Sequence, residues 1–563
     1  MEMTHLESSW GSTEAPKASD SRERGAWLVL LLGLALSRFA VMPEVIFEWD
    51  SANYVLGTRD FNVFEHQPHP PGNPLFVLML WLVGPMGAGP LQFLIVNTLL
   101  GGGAILLLGW MARPLVGPRG AFAIGLAFAL CPPFWFQGAV TTAYVAECFT
   151  VTVAGAVALG LARGTLSLPL GAFFAAMALG LRPSAVPAIA PVLAYGIWLA
   201  RPSFKPLAIS GGVFVATCLV WTVPIFVSAG GVAPYREASA ALWDWQVELG
   251  SLLGDGRIVQ ANASKLLRYL FDALNILWFA LVFNGVVLLV RRRLPWKSLL
   301  FCAIWTVPGA LVYALHHLAK SAYVLTLVPA CFLLVALLAS GAAQHLQGWR
   351  KRIVVGANGV FMASYMGLNL LAFQTASPVS LLTYRDAPVD LSGPMLMTGD
   401  YGRLALEYRT WPQRHTQDLL DALNDDRDLA LFLFGTHELM RMQMASSPEQ
   451  WMVASSVDHG VLFDSTGRMS DLSFGAYQNV VLRAPDVGLT LEQPTTVGLK
   501  GSGLRLARLG RTLEAPNGRI PRRILVFTQC QPCRVSLGEN VRRVRDYRVS
   551  AGILAVELEV TGF

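Results

Sequence analysis

Charged residues are scarce in this sequence. Asp, Glu, Lys and Arg make up 14% of its 563 residues, against about 25% in an ordinary soluble domain. Hydrophobic residues reach 54%. A water-soluble enzyme of this length has too little polar surface to cover so much apolar side chain, and a disordered chain would be far less apolar. The usual catalytic signatures are missing too. There is no P-loop, no G-x-S-x-G, no H-E-x-x-H or comparable metal spacing, and no internal repeat. Cysteine is thinly used, seven in all, and Cys131, Cys148, Cys218, Cys302 and Cys331 lie in apolar stretches, where a thiol behaves as a small hydrophobe. The basic excess is small, 43 Lys+Arg against 37 Asp+Glu for a net +6. Its dense clusters are short: Arg113 with Arg119, Arg163, Arg201 with Lys205, Arg291–Arg293 and Arg350–Arg352. Such clusters between apolar runs set membrane topology and do not form a nucleic-acid face.

The sequence is rich in long apolar runs. They fall at roughly 25–43, 90–111, 120–137, 142–162, 166–181, 184–200, 206–228, 269–290, 297–316, 322–341 and 353–373. About 20 apolar residues cross a bilayer as a helix. The first run is too long for a signal-peptide core and lacks a small-residue cleavage site behind it, so it reads as a retained span. Pro74–Val83 is apolar but short. If it stays on one side, every dense basic loop shares the cytoplasmic side with the N-terminal tail, so it reads as interfacial or re-entrant. The expected fold is a polytopic α-helical membrane protein of about 11 transmembrane helices with a C-terminal soluble α/β or α+β domain. Its regions are a cytoplasmic tail 1–24, a membrane domain 25–375 with a first outer loop 44–89, and an extracytoplasmic domain 376–563. In the last, Leu429–Phe434, Val480–Leu482, Arg523–Phe527 and Ile553–Val560 read as strands, and Thr416–Leu423 as a short helix. Cys530-Gln-Pro-Cys533 reads as a local disulfide in an oxidising compartment, with redox or metal chemistry as the alternatives.

This topology gathers unusual polar residues at the outer face. Polar groups near bilayer depth are costly and tend to line a site. Asp50, in Glu48-Trp-Asp50-Ser-Ala-Asn-Tyr54, sits just past the first span, where a carboxylate serves as a general base for a hydroxyl, as a metal ligand, or simply as a solvated group. His66 and His69 lie in a proline-rich strap and read either as ligands or acids or as hydrogen-bonded loop residues. Tyr144 and Glu147 are three apart and share a helix face; Glu147 also suits a helix N-terminus for ordinary dipole reasons. Arg182, in Gly180-Leu-Arg-Pro-Ser184, binds a phosphate or carboxylate, or snorkels to headgroups. His316, His317, Lys320 and Tyr323 share an outward turn suited to a lipid phosphate or to headgroup contact. Arg38 is the exception, since it lies inside the first span.

In their order these segments resemble the glycosyltransferase C superfamily. The likeness is to bacterial relatives of protein O-mannosyltransferases and of aminoarabinose transferases that modify lipid A. It is carried by His69-Pro-Pro-Gly-Asn-Pro-Leu75, by Tyr144-Val-Ala-Glu147, and by Lys320-Ser-Ala-Tyr323-Val-Leu-Thr-Leu-Val-Pro329, and it covers roughly 25–375. The resemblance implies an enzyme of the bacterial inner membrane. Such an enzyme transfers a sugar, with inversion, from a polyprenyl-phosphate donor to a protein, lipid or glycan acceptor at the outer side. It implies Asp50 as base, Lys320, Arg182 and His317 at the donor phosphate, and Tyr54, His69, Tyr144, Glu147 and Tyr323 as candidate substrate contacts. Many relatives carry two adjacent acids in the first loop. Here Asp50 is followed by Ser51, and Glu48 lies two residues earlier. A role needing an acidic pair is therefore not implied; no cofactor is expected, and a divalent metal is left open. Two other readings remain at this level: a secondary transporter, and a non-catalytic envelope assembly protein.

Overall fold

The structure, a computed structural model, describes residues 21–42, 49–64, 67–86, 89–252, 257–316, 318, 321–344 and 346–372, together with ten strands between Leu429 and Val560. Glu48, His66, His317, Lys320, Cys530, Cys533 and the expected helix Thr416–Leu423 lie outside the described residues. The chain divides into two units. One takes in residues 1–43 and 70–409, and the other residues 44–69 and 410–563.

The first unit is helical. Its elements are α1 (Ser21–Phe39), α3 (Pro74–Val83), α4 (Pro90–Ala129), α5 (Pro132–Ala139), α6 (Tyr144–Ala162), α7 (Leu168–Leu181), α8 (Val186–Ala200), α9 (Phe204–Ser228), α10 (Val232–Gly250), α11 (Arg257–Leu274), α12 (Leu277–Val290), α13 (Trp296–Leu315), α14 (Val328–Gln344) and α15 (Gly348–Ala372). The helix α2 (Trp49–Arg59) belongs to the second unit. Six helices among the described residues are long and apolar enough to cross a membrane, or seven if the bent pair α11–α12 counts as one span. All eleven apolar runs of the sequence are at least partly helical. Those that fall short of a single crossing do so for visible reasons. α1 carries Arg22, Glu23, Arg24 and Arg38 among its 19 residues. The run at 120–137 is broken: Gly117, between Pro114 and Pro118, has φ 71°, and Cys131 is extended (ψ 119°) ahead of Pro132, as a residue before proline prefers. α7 and α14 have 14 and 17 residues. The ten residues of α3 span about 15 Å at 1.5 Å per residue, half of the hydrocarbon core.

Of the helices long enough to cross a membrane, the most enclosed is α6, packed against α4, α7 and α8. Small residues permit the close approach: a Cβ on Gly196 of α8 would lie 2.6 Å from Ala158 Cα, the kind of contact that lets membrane helices pack tightly. α9 and α15 present most of their surface outward, with Val220, Val227, Val360 and Leu371 exposed. α11 and α12 meet at 90°. Asn275 makes the corner at φ 29°, a conformation asparagine tolerates better than most residues, and its Oδ1 accepts the Ile276 N–H at 2.6 Å.

In the second unit, α2 is followed by a loop that folds back on itself. Asn62 and Gln67 exchange both backbone hydrogen bonds, 3.0 and 2.8 Å. The loop passes so close to α2 that a Cβ on Gly57 would stand 2.9 Å from the Gln67 carbonyl oxygen. The strands, numbered β1 to β10, form three sheets. The largest has the order β1 (Leu429–Phe434), β7 (Arg523–Thr528), β10 (Ile553–Val560), β9 (Val541–Ser550). β1 and β7 are parallel, and the other two pairings are antiparallel. Strands β2 (Val453–Ala454), β3 (Leu462–Phe463) and β4 (Met469–Ser470) form a second sheet, and β5 (Asn479–Ala484), β6 (Val487–Glu492) and β8 (Arg534–Leu537) a third.

Candidate functional site

In the helical unit four separate segments deliver polar side chains to one buried cluster, among them α13, which carries Tyr313. α6 begins at Tyr144, so its first turn carries Glu147. α7 ends at Leu181, leaving Arg182 as a non-helical cap (φ −149°, ψ 81°). The proline after it starts the short 3-10 turn Pro183–Ala185 that leads into α8. A second 3-10 turn, Ser321–Thr326, carries Tyr323.

Glu147 is 4% exposed. Its Oε1 accepts a hydrogen bond from the Tyr313 hydroxyl at 3.2 Å, and its Oε2 lies 3.4 Å from Arg182 Nε. The Oε2 contact is an ion pair without hydrogen-bond alignment. The Arg182 guanidinium also sits 5.5 Å over the Tyr144 ring, within the range of a cation–π contact. Tyr323 meets Tyr144 edge-on at 5.5 Å and lies parallel to Tyr313 at 5.4 Å. The cluster is thus an acid held between a cation and a phenol, walled by three tyrosine rings. A carboxylate fixed in this way is oriented before any substrate arrives. It can accept a hydrogen bond from a substrate hydroxyl or amine at little reorganisation cost.

The second unit holds the other pair. Asp50 stands in the first turn of α2, and the folded-back loop brings His69 Nδ1 to 3.5 Å from Asp50 Oδ1. Both side chains keep some solvent access, 26% and 20%. Tyr54, one helical turn beyond Asp50, is buried. Among the described residues, no group of three or more His, Cys, Asp and Glu side chains comes together as a metal-binding set.

Tyr144, Glu147, Arg182 and Tyr323 therefore come together within the helical unit, and Asp50 with His69 within the other. Tyr313 was not singled out from the sequence, because it lies in the apolar run of α13, where a tyrosine reads as one more large side chain. At the end of that helix His316 stacks on Trp243 with ring centroids 4.5 Å apart, and burial pushes its imidazole below the ordinary value.

No family model matches the chain, and no curated protein matches it by sequence. Solved structures do. The crystal structure of ArnT from Cupriavidus metallidurans bound to undecaprenyl phosphate aligns with a TM-score of 0.56 at 14% identity, over 94% of this chain and 98% of that one. The apo state of the same protein aligns with a TM-score of 0.55 at 15% identity, over 95% and 98%. At such identity the likeness is one of fold, and it extends over nearly the full length of both chains.

Proposed function

We propose that this chain is an integral membrane glycosyltransferase. It takes a sugar from a polyprenyl-phosphate donor and transfers it, with inversion, to an acceptor at the outer side of a bacterial inner membrane. The observation that carries the proposal is the near full-length likeness to ArnT bound to undecaprenyl phosphate. The two polar constellations support it, because each holds residues of types that the reaction needs.

In this reading Asp50 is the base. The His69 imidazole beside it holds the carboxylate in orientation. Asp50 takes the proton as the acceptor hydroxyl or amine attacks the anomeric carbon. The new bond forms as the bond from that carbon to the phosphate oxygen breaks, and the polyprenyl phosphate leaves with the electron pair. Lys320, Arg182 and His317 offset the charge that develops on the departing phosphate, as cationic side chains do in phosphate-releasing sites. Glu147, fixed by Arg182 and Tyr313, accepts hydrogen bonds from substrate hydroxyls. Tyr54, Tyr144 and Tyr323 supply ring faces and hydroxyls for the sugar or its carrier. The acceptor is a protein, lipid or glycan presented outside. Residues 376–563 form an extracytoplasmic soluble domain stapled by Cys530–Cys533, and about 11 helices cross the membrane.

The test is transfer by the purified full-length chain from a panel of undecaprenyl-phosphate sugars, with the anomeric configuration of the product determined. Asp50→Asn is expected to lower turnover by about 10²- to 10⁴-fold, the range for loss of a general base, with normal insertion and folding. Undiminished transfer by that variant rules out Asp50 as the base. No transfer from any donor by the parent chain rules out the function.

A further inference from the structure

An arginine inside a membrane helix ordinarily marks an ion or substrate pathway. Arg38, near the end of α1, has no exposed surface, and among the described residues no ion pair includes it. Its charge is met by backbone instead. Nη1 donates to the Asn97 carbonyl at 3.1 Å and Nη2 to the Phe134 carbonyl at 3.3 Å, and the guanidinium lies 5.3 Å from the Phe134 ring centre. Glycine makes room on both sides, four residues on from each carbonyl. A Cβ on Gly101 would stand 2.9 Å from Nη1, and one on Gly138 would overlap the guanidinium itself. The fork therefore bridges α4 and α5 at two notches cut for it.

The same residues lead on to Glu147. Asn97, whose carbonyl takes Nη1, uses its side-chain amide to donate to the Thr142 carbonyl at 2.8 Å and to the Val140 carbonyl at 3.4 Å. Thr142 turns back to the Gln137 side chain at 2.8 Å and to its carbonyl at 3.1 Å. These bonds span the non-helical link between α5 and α6. The first residue of α6 is Tyr144, and its first turn holds Glu147. No side chain caps that helix start, so its position depends on the link before it.

We propose that Arg38 and Asn97 form a positioning clamp that sets the start of α6, and with it Glu147 and Tyr144, for the reaction. This rests on reading Glu147 as part of the reaction centre. Displacing a reacting group by about 1 Å costs on the order of 10²-fold in rate. The clamp itself touches no substrate; it sets the alignment of groups that do, so its loss falls much more heavily on kcat than on donor KM.

The experiment compares four full-length variants with the undecaprenyl-phosphate sugar that the panel identifies. Arg38→Met is expected to lower kcat by about 10- to 100-fold while donor KM stays within roughly 3-fold, and Arg38→Lys to recover part of the loss. Ser37→Ala removes the neighbouring bond from Trp135 Nε1 to Ser37 Oγ. It loosens the same α1–α5 contact without reaching the link, and its kcat is expected to match the parent. Asn97→Ala, which removes only the two bonds to the link, is expected to reproduce the kcat loss, and it decides the matter if Arg38→Met does not fold. A loss carried by KM, an equal loss in Ser37→Ala, or an unchanged kcat in Asn97→Ala overturns the clamp. A second readout needs no turnover. The thiol introduced by Ala143→Cys, at a position 4% exposed, is expected to resist a water-soluble maleimide in the parent and to react when Arg38→Met or Asn97→Ala is added. Equal protection in both backgrounds overturns the clamp even if no donor is ever transferred, an outcome that would sink the glycosyltransferase reading by itself.

Discussion

A carboxylate as enclosed as Glu147 depends on its partners. Arg182 lies 3.4 Å from it and Tyr313 at 3.2 Å; a buried pair that loses one partner typically costs about 3–5 kcal/mol, because the remaining charge is stranded. Arg182→Gln is thus expected to destabilise the chain by about that amount. Adding Glu147→Gln should recover most of it, as measured by unfolding in detergent. Strictly additive losses would mean that the two groups are not coupled. His316 makes a different prediction. Its imidazole is pushed below the ordinary value by burial against Trp243, so above about 6.5 it is neutral whether folded or unfolded. As pH falls below that value the unfolded state takes up the proton first, and the contact loses stability through the depressed titration. The difference in Trp fluorescence between parent and His316→Gln should show a midpoint below 6.5; a midpoint above 6.5 contradicts the burial. Part of this was legible from the sequence. Tyr144 and Glu147 share a face at i, i+3, and the Arg-Pro pair marks the end of a helix. Tyr313 and Asn97 were not legible. Each is one of a few polar residues scattered through an apolar run, and its significance comes from a partner more than 40 positions away.

Among the elements, α15 is held by amides to the bend between α11 and α12 and to the middle of α12. Asn275 Nδ2 donates to Asn369 Oδ1 at 2.8 Å. Asn284 and Asn358 donate to each other at 2.7 and 3.0 Å. Such interhelical bonds average about 0.6 kcal/mol in membrane proteins and reach about 1.7. A double-mutant cycle with Asn284→Leu and Asn358→Leu should return a coupling in the upper part of that range, since both amides are doubly engaged. A coupling of zero would show that the pair is incidental. The right angle at Asn275 has a physical reading as well. α11 is strongly amphipathic, and a helix of that kind set perpendicular to a span suits the plane of the membrane surface. The run at 269–290 gave no hint of this corner, because hydropathy alone passes smoothly through Asn275. Proline did mark the break at 131–133, though the extent of the helical pieces on either side followed from packing.

For the whole molecule, the placement of basic loops makes a test of topology direct. Ser264 lies just before the run at 269–290, in a stretch that the basic-loop pattern assigns to the outer side, and Ser203 lies beside Arg201 and Lys205, which the same pattern assigns to the cytoplasmic side; both serines are exposed. In intact spheroplasts an impermeant maleimide should label the thiol of Ser264→Cys and spare that of Ser203→Cys; the reverse pattern would invert the chain. The strand runs of the C-terminal third were legible because β1 and β10 are bounded, alternating or apolar segments. Their pairing was not, since parallel contact between β1 and β7 joins segments far apart in the chain. That pairing has a bearing on biogenesis. In the four-stranded sheet, β10 is an inner strand, hydrogen-bonded to β7 on one side and β9 on the other, yet it is made last of the four. While the ribosome is still adding residues beyond 528, β1 and β7 have an open seam where β10 belongs. Pairing across such sequence distances is slow, and unfilled strand edges are sticky. The sheet therefore closes only after synthesis has passed Val560, and until then its handling falls to whatever machinery accompanies the emerging chain.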